Sequence, residues 1–455
     1  MNEKSLEVCI LAAGIGTRMN SSIPKVMQPL AGRPMLGHLI NSVEALNPAN
    51  IHIVIGPETD SVRQAFPSQK INWVTQTERL GTGHAVMQIM PHLNKDARLL
   101  ILLGDAPLIS SKTMQTLIDV NAHLTVLTSV LDDPRSYGRI VRDEGDSISA
   151  IVEDRDATEE QKKINEINTG VMAANANALS AWLPQLSVQN AQKELLLTDI
   201  ISIANKESML VKPVIAEDKM EISGVNTFGQ LARLERMLQQ RYARDLQDAG
   251  VNILDPQRFD KRGELLCGSD VFIDANNIFE GRVTLGDRVH IGANCHIIDS
   301  IIESDTVIKD YSHLQGCHVG PDSQIGPFAR LRPGTFLRKK VTIGNFVEVK
   351  NTKIGENTKA SHLTYLGDAN IGEHVNIGAG SITCNYDGLK KYQTRIDDNV
   401  FVGSNTAFVA PIVIGAGSTI GAGSVLTKDV EPETLALSRA KQKTVTTWTR
   451  PKDKD

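Results

Sequence analysis

The stretch of sequence that decides the fold of the second half of the chain is residues 319–349, VGPDSQIGPFARLRPGTFLRKKVTIGNFVEV. An aliphatic residue returns there at every sixth position: Val319, Ile325, Leu331, Leu337, Ile343 and Val349. A period of six fits neither a strand, whose side chains repeat every two residues, nor a helix, whose period is 3.6. Hexapeptide repetition is typical of a parallel β-helix, in which aliphatic side chains stack inward and small residues form the corners.

The same repeat extends in both directions from this stretch. It includes Leu285, Ile291 and Ile297, slips near positions 354 and 371, and resumes at Ile396, Val402, Phe408, Ile414, Ile420 and Leu426. Glycine directly follows many of these positions: Gly286, Gly292, Gly320, Gly326, Gly344, Gly403, Gly415 and Gly421. One polar segment, TCNYDGLKKYQT at 383–394, interrupts the pattern. We expect this insertion to loop out from one face of the β-helix and to carry function.

The first part of the chain alternates apolar strands with helix-like segments. Val8–Leu11, Ile51–Ile55 and Leu99–Leu103 are predicted strands, and 33–46 and 83–93 are predicted helices. This alternation indicates a mostly parallel, Rossmann-like α/β sheet. The following segment, 229–249, predicts one helix, with an apolar stripe of Leu231, Leu234, Leu238 and Tyr242. We therefore expect an α/β domain at 1–228, a linker helix at 229–249 and a left-handed β-helix at 250–455.

Composition excludes several classes of partner. The 455 residues exceed what one hydrophobic core usually serves. The formal charge of −5, from 48 basic and 53 acidic residues, gives no basic field for nucleic acid. The cysteines lack metal-ligand spacing, so we expect free thiols in a reducing cytoplasm. Apolar runs are too short for a signal peptide or a membrane span, so we expect no integral membrane association.

In the charged segment 440–455, we expect Trp448 to dock on the β-helix.

A glycine turn follows the first strand. It reads Leu11-Ala-Ala-Gly14-Ile-Gly16-Thr-Arg18-Met19, with Pro24-Lys25 soon after. Glycine N–H groups and two cations at one strand-to-helix turn favour phosphate binding. Because Met19 stands where G-x-G-x-x-G has its third glycine, and no Walker lysine follows, neither a dinucleotide-binding motif nor a P-loop is supported. A plain glycine turn remains an alternative for this segment alone.

A second element is the strand Leu99–Leu103, which runs into Gly104-Asp105. Ligands bind at the carboxyl ends of strands in open α/β sheets, and an aspartate there can hold Mg²⁺ between nucleotide phosphates. An aspartate after a strand is more often an ordinary turn residue. The two elements together favour catalysis over either simpler explanation.

A third element is His362, in Ala360-Ser-His362-Leu-Thr-Tyr365-Leu-Gly-Asp368. A lone histidine in a repeat is usually a tolerated polar residue. A reaction that removes a proton from an attacking group, however, needs a base, and histidine suits that task. Arg332 and Lys350 are cations that could hold an anionic group, although such side chains often only solvate a surface.

The glycine turn with its Pro-Lys pair resembles that of the sugar-nucleotide pyrophosphorylases. Joined to a hexapeptide β-helix, the chain resembles, over nearly its whole length, the bacterial bifunctional N-acetylglucosamine-1-phosphate uridyltransferase/glucosamine-1-phosphate acetyltransferase family. The resemblance implies acetyl transfer from acetyl-CoA to glucosamine 1-phosphate in the second half. It then implies Mg²⁺-dependent uridylyl transfer from UTP to N-acetylglucosamine 1-phosphate in the first half. It also implies a homotrimer assembled through the β-helix.

The resemblance also implies site residues in the first half. Those for the nucleotide and its phosphates are Leu11, Ala12, Ala13, Gly14 and Lys25, with Gln76, Gly81 and Thr82 for uracil. Asp105 and Asn226 would hold Mg²⁺, and Gly138, Glu153 and Asn168 would hold the N-acetylated sugar. Leu103 and Gly104 complete this set of nucleotide- and sugar-binding residues. Two residues depart from the family pattern: Ile15 replaces a frequent basic residue, and Leu103 replaces a frequent aromatic one. We expect these departures to change phosphate affinity and sugar contacts.

In the second half the resemblance implies that His362 is the general base. The residues for glucosamine 1-phosphate are Arg332, Lys350, Tyr365 and Asn376, with Lys391 nearby. Those for acetyl-CoA are Ala379, Asn385, Tyr386, Ser404, Ala422 and Arg439. A backbone N–H near Asn385 or Ala379 is a candidate oxyanion donor. Two alternatives stay open, a β-helix that only trimerises the enzyme and a pure binding scaffold; His362 and the insertion argue against the first, and the two phosphate-site elements against the second.

Overall fold

The computed structural model describes residues 5–14, 16–145 and 147–450. The chain forms two compact units, Met1–Met237 and Leu238–Asp455. The division falls inside the long helix Phe228–Asp248, at the place where the sequence predicts a single helix. Each unit has a buried apolar core of its own.

The first unit is built on a mixed sheet. The sheet contains β1 Leu6–Leu11, β4 Asn50–Ile55, β5 Ile71–Thr75, β6 Arg98–Leu103, β7 Leu124–Val130, β8 Arg139–Arg142, β9 Ile148–Val152, β10 Glu166–Asn175 and β11 Val211–Ile215. Strands β2 Pro29–Leu30 and β3 Arg33–Pro34 form a separate antiparallel pair. The main order is β11-β7-β10-β6-β1-β4-β5. Strand β10 is antiparallel to β6 and β7, and the other neighbours on this path are parallel. The predicted mostly parallel sheet is confirmed.

Helices cover both faces of this sheet. They are α1 Met35–Glu44, α2 Asp60–Ala65, α3 Thr82–Ile89, α4 Ser111–Asp119, α5 Ala176–Trp182 and α6 Ile200–Lys206, and the long helix is α7 Phe228–Asp248. Successive strand residues point to opposite faces, so Val8 and Ile10 pack in one apolar cluster and Cys9 in the other. This two-sided burial explains why Val8–Leu11 in β1 and Leu99–Leu103 in β6 are continuous apolar runs. Helix α1 starts after Pro34 and α3 ends before Pro91, so both are shorter than predicted.

The stripe predicted on α7 is buried. Leu231, Leu234 and Leu238 are less than a tenth exposed, and Tyr242 packs against the apolar core of the second unit. The Lys261 ammonium lies 4.1 Å from the centre of the Tyr242 ring. An amphipathic helix is stabilised mainly by such burial of its apolar face.

The second unit consists of short strands in parallel ladders. The first ladder contains Asn252–Ile253, Phe272–Ile273, His290–Ile291, Val307–Ile308, Gln324–Ile325, Thr342–Asn345, Lys359–His362, Asn376–Ile377, Phe401–Val402, Thr419–Ile420 and Leu435–Ala436. Two long strands, Phe259–Cys267 and Asn277–Leu285, begin the other two ladders. The second ladder continues through His296–Ile298, His313–Gln315, Arg330–Leu331, Glu348–Lys350, Tyr365–Gly367, Ile382–Cys384, Ala407–Val409 and Val425–Leu426. The third continues through Ile301–Ile302, His318–Val319, Phe336–Leu337, Lys353–Ile354, Ala369–Ile371, Thr394–Ile396 and Ile412–Ile414.

This arrangement confirms the parallel β-helix. The aliphatic residues of the hexapeptide repeat are buried along its whole length. Successive coils pair in register, as Ile308 does with Ile325 and Ile325 with Ile343. A coil of three hexapeptides has 18 residues, as from Ile325 to Ile343, and some coils are one residue shorter, as from Ile308 to Ile325. Many corners are single residues with positive φ, such as Asp270, Asp305 and Asp322. Aspartate and asparagine tolerate that left-handed conformation better than most residues, which explains their recurrence at these positions.

Some features lie outside the two cores. The five cysteines are free, as expected. Trp448 is 67 % exposed, so the expectation that it docks on the β-helix is wrong; the last described strand ends at Ala436. Among the helices in the described ranges, none combines the length and the apolar composition needed to cross a membrane.

Candidate active sites

The glycine turn and the predicted aspartate meet because β1 and β6 are parallel neighbours in register. Leu11 pairs with Leu103 at their carboxyl ends. Directly after this pair, the Gly104 N–H donates to the Leu11 carbonyl at 2.9 Å. The two segments that the sequence associates with phosphate binding therefore lie at one edge of the sheet.

The glycine turn requires glycine at position 16. Gly16 has a φ of 69°, and a Cβ there would lie 2.8 Å from the Cβ of Lys25. The turn therefore packs directly on Lys25, which comes from a separate short helical turn, Lys25–Met27. Ile15 lies outside the described residues, so the expected effect of that departure stays a prediction.

Three charged and polar groups converge next to this turn. The Lys25 ammonium donates to Asp105 Oδ2 at 2.6 Å and to Asn226 Oδ1 at 3.1 Å. Asn226 reaches this position because the neighbouring Val225 N–H donates to the Asp105 carbonyl at 2.9 Å. The carboxylate and the amide oxygen thus lie close enough to share one cation.

This pair of oxygens fits a magnesium ion. Within the described residues, no group of three or more His, Cys, Asp or Glu side chains is placed to hold a metal. Mg²⁺ does not need one, because it commonly takes one or two protein oxygens and completes its shell with phosphates and water. Asp105 and Asn226, which both already contact the cationic Lys25, match that requirement.

A cavity of about 370 Å³ opens beside these groups. The predicted residues that line it are Leu11, Ala12, Ala13, Gly14, Lys25, Gln76, Gly81, Thr82, Leu103 and Asp105. Gln76 is almost completely buried, and its Nε2 donates to the Gly81 carbonyl at 3.2 Å and to His84 Nδ1 at 3.1 Å. No described residue donates to Gln76 Oε1, so this oxygen is available to an N–H group of a ligand.

The segment that ends at Gly81 is held tightly. Gly81 has a φ of 113°, and a Cβ there would lie 2.5 Å from the Leu195 carbonyl oxygen. The hydroxyl of Thr82, the first residue of α3, accepts from the Leu197 N–H at 3.0 Å. These contacts fix the wall of the cavity that Gln76 and Thr82 form.

A second cavity, of about 430 Å³, adjoins the first, and Leu103 and Asp105 line both. It also contains the predicted Gly138, Glu153, Asn168 and Asn226. Asn168 N–H donates to the Gly138 carbonyl at 2.8 Å, and a Cβ on Gly138 would lie 3.0 Å from Ile151 Cγ2. The predicted sugar residues therefore lie together, next to the predicted metal pair.

Glu153 is the most perturbed acid in this second cavity. Burial raises the pKa of its carboxyl above the ordinary value, and the nearby Asp199 and Asp156 act in the same direction. The Thr198 hydroxyl donates to Glu153 Oε1 at 3.3 Å and partly opposes the shift. A carboxyl group that is easily protonated can both donate to and accept from the hydroxyls of a sugar.

In the second unit, His362 ends a strand of the first ladder. It pairs with Asn345 on the preceding coil, and His362 Nδ1 lies 2.7 Å from Asn345 Oδ1. An amide oxygen can only accept, so Nδ1 carries the proton and Nε2 keeps its lone pair. The side chain is exposed, so this lone pair is accessible to a ligand.

His362 belongs to a column of residues on successive coils. The ladder pairs Ile343, Ala360, Ile377, Val402 and Ile420 in register. Two positions further along each coil lie Asn345, His362, Ala379, Ser404 and Ala422. Adjacent coils are about 4.8 Å apart. Arg439 reaches the end of this column, because its Nη1 donates to the Ala422 carbonyl at 2.6 Å.

Most of the predicted acceptor residues lie on the neighbouring ladder. Arg332 and Lys350 are on adjacent coils, since the Arg332 N–H donates to the Val349 carbonyl at 2.8 Å. Lys391 contacts Lys350 and lowers the pKa of the Lys350 ammonium, and Arg332 adds to this effect. Tyr365 lies on the same ladder, whereas Asn376 is on the first one. The structure thus brings Arg332, Lys350 and Lys391 together and places Asn376 apart.

The predicted insertion is a compact loop. Thr383 and Cys384 belong to the strand Ile382–Cys384, so the loop starts at Asn385. It is closed by the Tyr392 N–H, which donates to the Asn385 carbonyl at 2.8 Å. The Asn385 amide donates to Asp368 Oδ2 at 2.5 Å, which fixes the loop to the preceding coil. The loop makes its coil longer than the neighbouring ones, yet Ile377 still pairs in register with Val402 on the next coil.

One corner of the β-helix carries large apolar side chains, which we name the corner column: Tyr311, Phe328, Phe346 and Leu363. The three aromatic rings stack from coil to coil, with their centres 4.9 Å apart between Tyr311 and Phe328 and 5.3 Å apart between Phe328 and Phe346. All four are exposed and have positive φ, which is unfavourable for bulky residues. Leu363 follows His362 directly, so the corner column runs beside the histidine column.

Two site residues were not predicted from the sequence, Arg79 and Asn345. Arg79 lines the first cavity and donates to the Ala13 carbonyl at 2.9 Å. Asn345 orients His362. Arg79 lies between the predicted residues Gln76 and Gly81, so its place in the sequence could have indicated it. Asn345 lies one coil before His362, so the repeat could have indicated that the two residues pair.

Three family models match parts of the chain. A MobA-like NTP transferase domain matches residues 8–164, a GMPPB C-terminal domain matches 262–362, and a bacterial transferase hexapeptide model of six repeats matches 393–428. The first model falls in the unit with the two cavities, and the other two fall in the β-helix.

Relatives match over the full length. The "Bifunctional protein GlmU" of Idiomarina loihiensis is 49 % identical over 457 residues and covers 99 % of both chains. The proteins of the same name from Marinobacter nauticus and Stutzerimonas stutzeri are each 50 % identical, and they align with 98 % and 99 % of this chain and with 99 % and 100 % of their own lengths. Identity of this extent across both units, together with the two sites, shows that the chain belongs to the family of bifunctional GlmU proteins.

Proposed function

We propose that the chain makes UDP-N-acetylglucosamine in two steps, one in each unit. The β-helix transfers the acetyl group of acetyl-CoA to glucosamine 1-phosphate, and the α/β unit joins the product to UMP from UTP. The observation that carries this proposal is the pair of adjoining cavities that meet at Leu103 and Asp105. One suits a nucleotide and the other a sugar, so the phosphates of both would lie at Lys25.

In the first cavity, uracil recognition would rest on Gln76. Its Oε1 can accept the imide N–H of uracil, because its Nε2 is already engaged by Gly81 and His84. Cytosine has no such N–H group, so this contact favours uracil. The glycine turn would bind phosphate through its N–H groups.

Uridylyl transfer then needs little side-chain chemistry. A phosphate oxygen of N-acetylglucosamine 1-phosphate attacks the α-phosphorus of UTP, the bond from that phosphorus to the bridging oxygen breaks, and pyrophosphate leaves. The attacking oxygen is already anionic, so positioning and charge stabilisation carry the reaction. The Lys25 ammonium, which lies 2.6 Å from Asp105 Oδ2, would stabilise the phosphate charge. Mg²⁺ held by Asp105 and Asn226 would neutralise phosphate charge.

In the second unit, His362 would act as the general base. The amine of glucosamine 1-phosphate attacks the thioester carbon while His362 Nε2 accepts a proton from the amine. The carbon–sulfur bond breaks, and the CoA thiolate takes up a proton to leave as the thiol. Arg332, Lys350 and Lys391 would hold the sugar phosphate, since Lys391 and Arg332 both disfavour the charged form of Lys350 and a bound anion would offset this effect. Arg332 also donates to Glu348 Oε1 at 2.8 Å. Ala379, Ser404, Ala422 and Arg439 would line the acetyl-CoA site along the histidine column, with Asn385 and Tyr386 beside it.

The assembly belongs to the same proposal. Large exposed apolar patches mark association surfaces, and the corner column is such a patch. We propose a cytoplasmic homotrimer in which a neighbouring copy covers this column and lies beside His362. We also propose the boundaries 1–228, 229–249 and 250–455 for the two domains and their linker.

The decisive experiment measures both half-reactions in the full chain. Wild type should release CoA thiol from acetyl-CoA only when glucosamine 1-phosphate is present, and His362→Ala should lose most of this release. Asp105→Asn should lower pyrophosphate release from UTP and N-acetylglucosamine 1-phosphate by about 100-fold while leaving thiol release intact. Each variant is thus the folding control of the other. If wild type releases pyrophosphate but no thiol, the β-helix is a scaffold and the acetyltransferase proposal is wrong.

A further inference from the structure

Arg79 connects two parts of the nucleotide cavity. It lies in the segment between Gln76 and Gly81 and lines the cavity itself. Its Nε donates to the Ala13 carbonyl at 2.9 Å, and its Nη2 donates to Glu58 Oε2 at 2.6 Å. The Glu58 side chain is largely exposed, so the contact with Ala13 is the one that reaches into the site.

The contact with Ala13 constrains the next N–H group. The Ala13 carbonyl and the Gly14 N–H belong to one peptide unit, which is trans. In a trans peptide these two groups point in opposite directions, so fixing the carbonyl also fixes the N–H. Within the part of the chain that the structure describes, the Gly14 N–H has no acceptor. Gly14 is exposed and lines the cavity, and nothing lies within 4 Å of the position of a Cβ there.

We infer that Arg79 is a positioning residue for the nucleotide. It holds the Ala13–Gly14 peptide so that the Gly14 N–H faces the phosphates, and it joins the phosphate-binding turn to the segment that contacts the base. This inference rests on the proposed uridyltransferase function. It assigns the effect to the hydrogen bond from Nε and not to the guanidinium charge.

The side-chain geometry allows these two contributions to be separated. Arginine Nε, glutamine Nε2 and methionine Cε stand the same number of bonds from Cα. Arg79→Gln therefore keeps a donor at that position and loses the charge, whereas Arg79→Met keeps the length and loses both. Glu58→Gln removes the charge of the ion-pair partner and leaves the donor to Ala13 in place.

The experiment compares wild type with these three variants in steady-state pyrophosphate release, varying UTP and N-acetylglucosamine 1-phosphate separately. We expect Arg79→Met to raise the KM for UTP about tenfold, the effect of losing one hydrogen bond. Arg79→Gln and Glu58→Gln should stay within about twofold of wild type, because both retain that hydrogen bond. The kcat and the KM for the sugar phosphate should change little in all three, and CoA thiol release serves as the folding control.

Two outcomes would overturn the inference: an unchanged KM for UTP in Arg79→Met, or an increase in Arg79→Gln as large as in Arg79→Met. The second would show that the charge acts and not the donor. If wild type itself releases no pyrophosphate, the proposed function has failed instead. Calorimetric titration of the same four proteins with UTP then decides whether Arg79 positions the turn. We expect Arg79→Met to bind UTP about tenfold more weakly than the other three proteins.

Discussion

At the scale of single residues, the orientation of His362 depends on one partner. Asn345 accepts from Nδ1 at 2.7 Å and so leaves Nε2 as the basic nitrogen. Without this acceptor the ring can rotate, and the tautomer with the proton on Nε2 competes. A base in the wrong tautomer cannot accept the proton of the amine.

We therefore predict that Asn345→Ala lowers the kcat for CoA thiol release by about tenfold to 100-fold, which is part of the roughly 100-fold to 10,000-fold that general-base catalysis contributes. Pyrophosphate release should stay at the wild-type rate. The matched control is Asn345→Ala in the His362→Ala background, where the substitution should have almost no further effect. Equal losses in both backgrounds would mean that Asn345 acts independently of His362.

Glu153 links the sugar site to stability. Because burial raises its pKa, the folded chain holds the proton more tightly than the unfolded chain does. The free energy of unfolding therefore falls as pH rises from the ordinary glutamate range, near 4.3, through the raised pKa.

We predict that Glu153→Gln removes this penalty. The Tm of the first unit in the variant should exceed that of wild type at pH 8, and the difference should vanish near pH 4. The same variant should raise the KM for N-acetylglucosamine 1-phosphate. Calorimetric melts at both pH values check the first effect, and an equal difference at pH 4 and pH 8 would contradict the linkage to this carboxyl.

At the scale of elements, the loop that starts at Asn385 costs the β-helix little. Ile377 pairs with Val402 across the longer coil, and Val402 then pairs with Ile420 across a coil of ordinary length. The buried aliphatic stack therefore continues past the loop without interruption.

We predict that replacing residues 386–391 by a short Gly-Asn linker leaves the Tm of the β-helix almost unchanged. The substitution removes Lys391 from beside the predicted acceptor residues, so the KM for glucosamine 1-phosphate should rise about tenfold or more, as for a lost charged contact. It also removes Tyr386, which we assign to the acetyl-CoA site. Asp387→Ala serves as the matched control, because it weakens the loop's turn, in which Asp387 accepts from the Lys390 N–H, but keeps both side chains. A large fall in Tm would show that the loop is part of the fold.

Periodicity made the elements predictable. The hexapeptide repeat located the inward stack from Leu285 to Leu426, and the alternation of strands and helices located β1, β4 and β6. The meeting of the glycine turn with Asp105 followed from parallel strand ends.

What the sequence could not provide were contacts that depend on loop conformation. Arg79 and Ala13 are 66 positions apart, and no period relates them. Likewise, Trp448 is exposed because it lies beyond the end of the last strand. The presence of an apolar residue in the sequence does not indicate where that strand ends. Such contacts emerge only when the backbone path between periodic elements is known.

At the scale of the whole molecule, the corner column combines two unfavourable features, exposed apolar surface and a strained backbone. Its side chains are apolar and exposed, and they occupy positive φ, where asparagine would be less strained. A substitution of phenylalanine by asparagine at such a corner relieves the backbone strain, and it removes the apolar surface together with the ring stacking between coils.

We predict that the double variant Phe328→Asn, Phe346→Asn dissociates the assembly into smaller species without lowering the Tm of the folded chain. Thiol release should fall with the assembly, while pyrophosphate release should persist. Lys340→Asn, at another exposed corner with positive φ, is the control and should leave the assembly intact. Light scattering during gel filtration measures the mass, and an unchanged mass for the double variant would show that copies meet elsewhere.

The coil that contains the Asn385 loop also has a consequence for descent with modification. Since pairing is restored one coil later, an insertion or deletion there leaves every other coil as it was. The buried stack of the β-helix can therefore stay the same while the exposed loop varies. Mutations that lengthen this loop can accumulate because they do not cause misfolding. In lineages that descend from such a chain, the acceptor surface can diversify while the nucleotide-binding unit keeps its ancestral form.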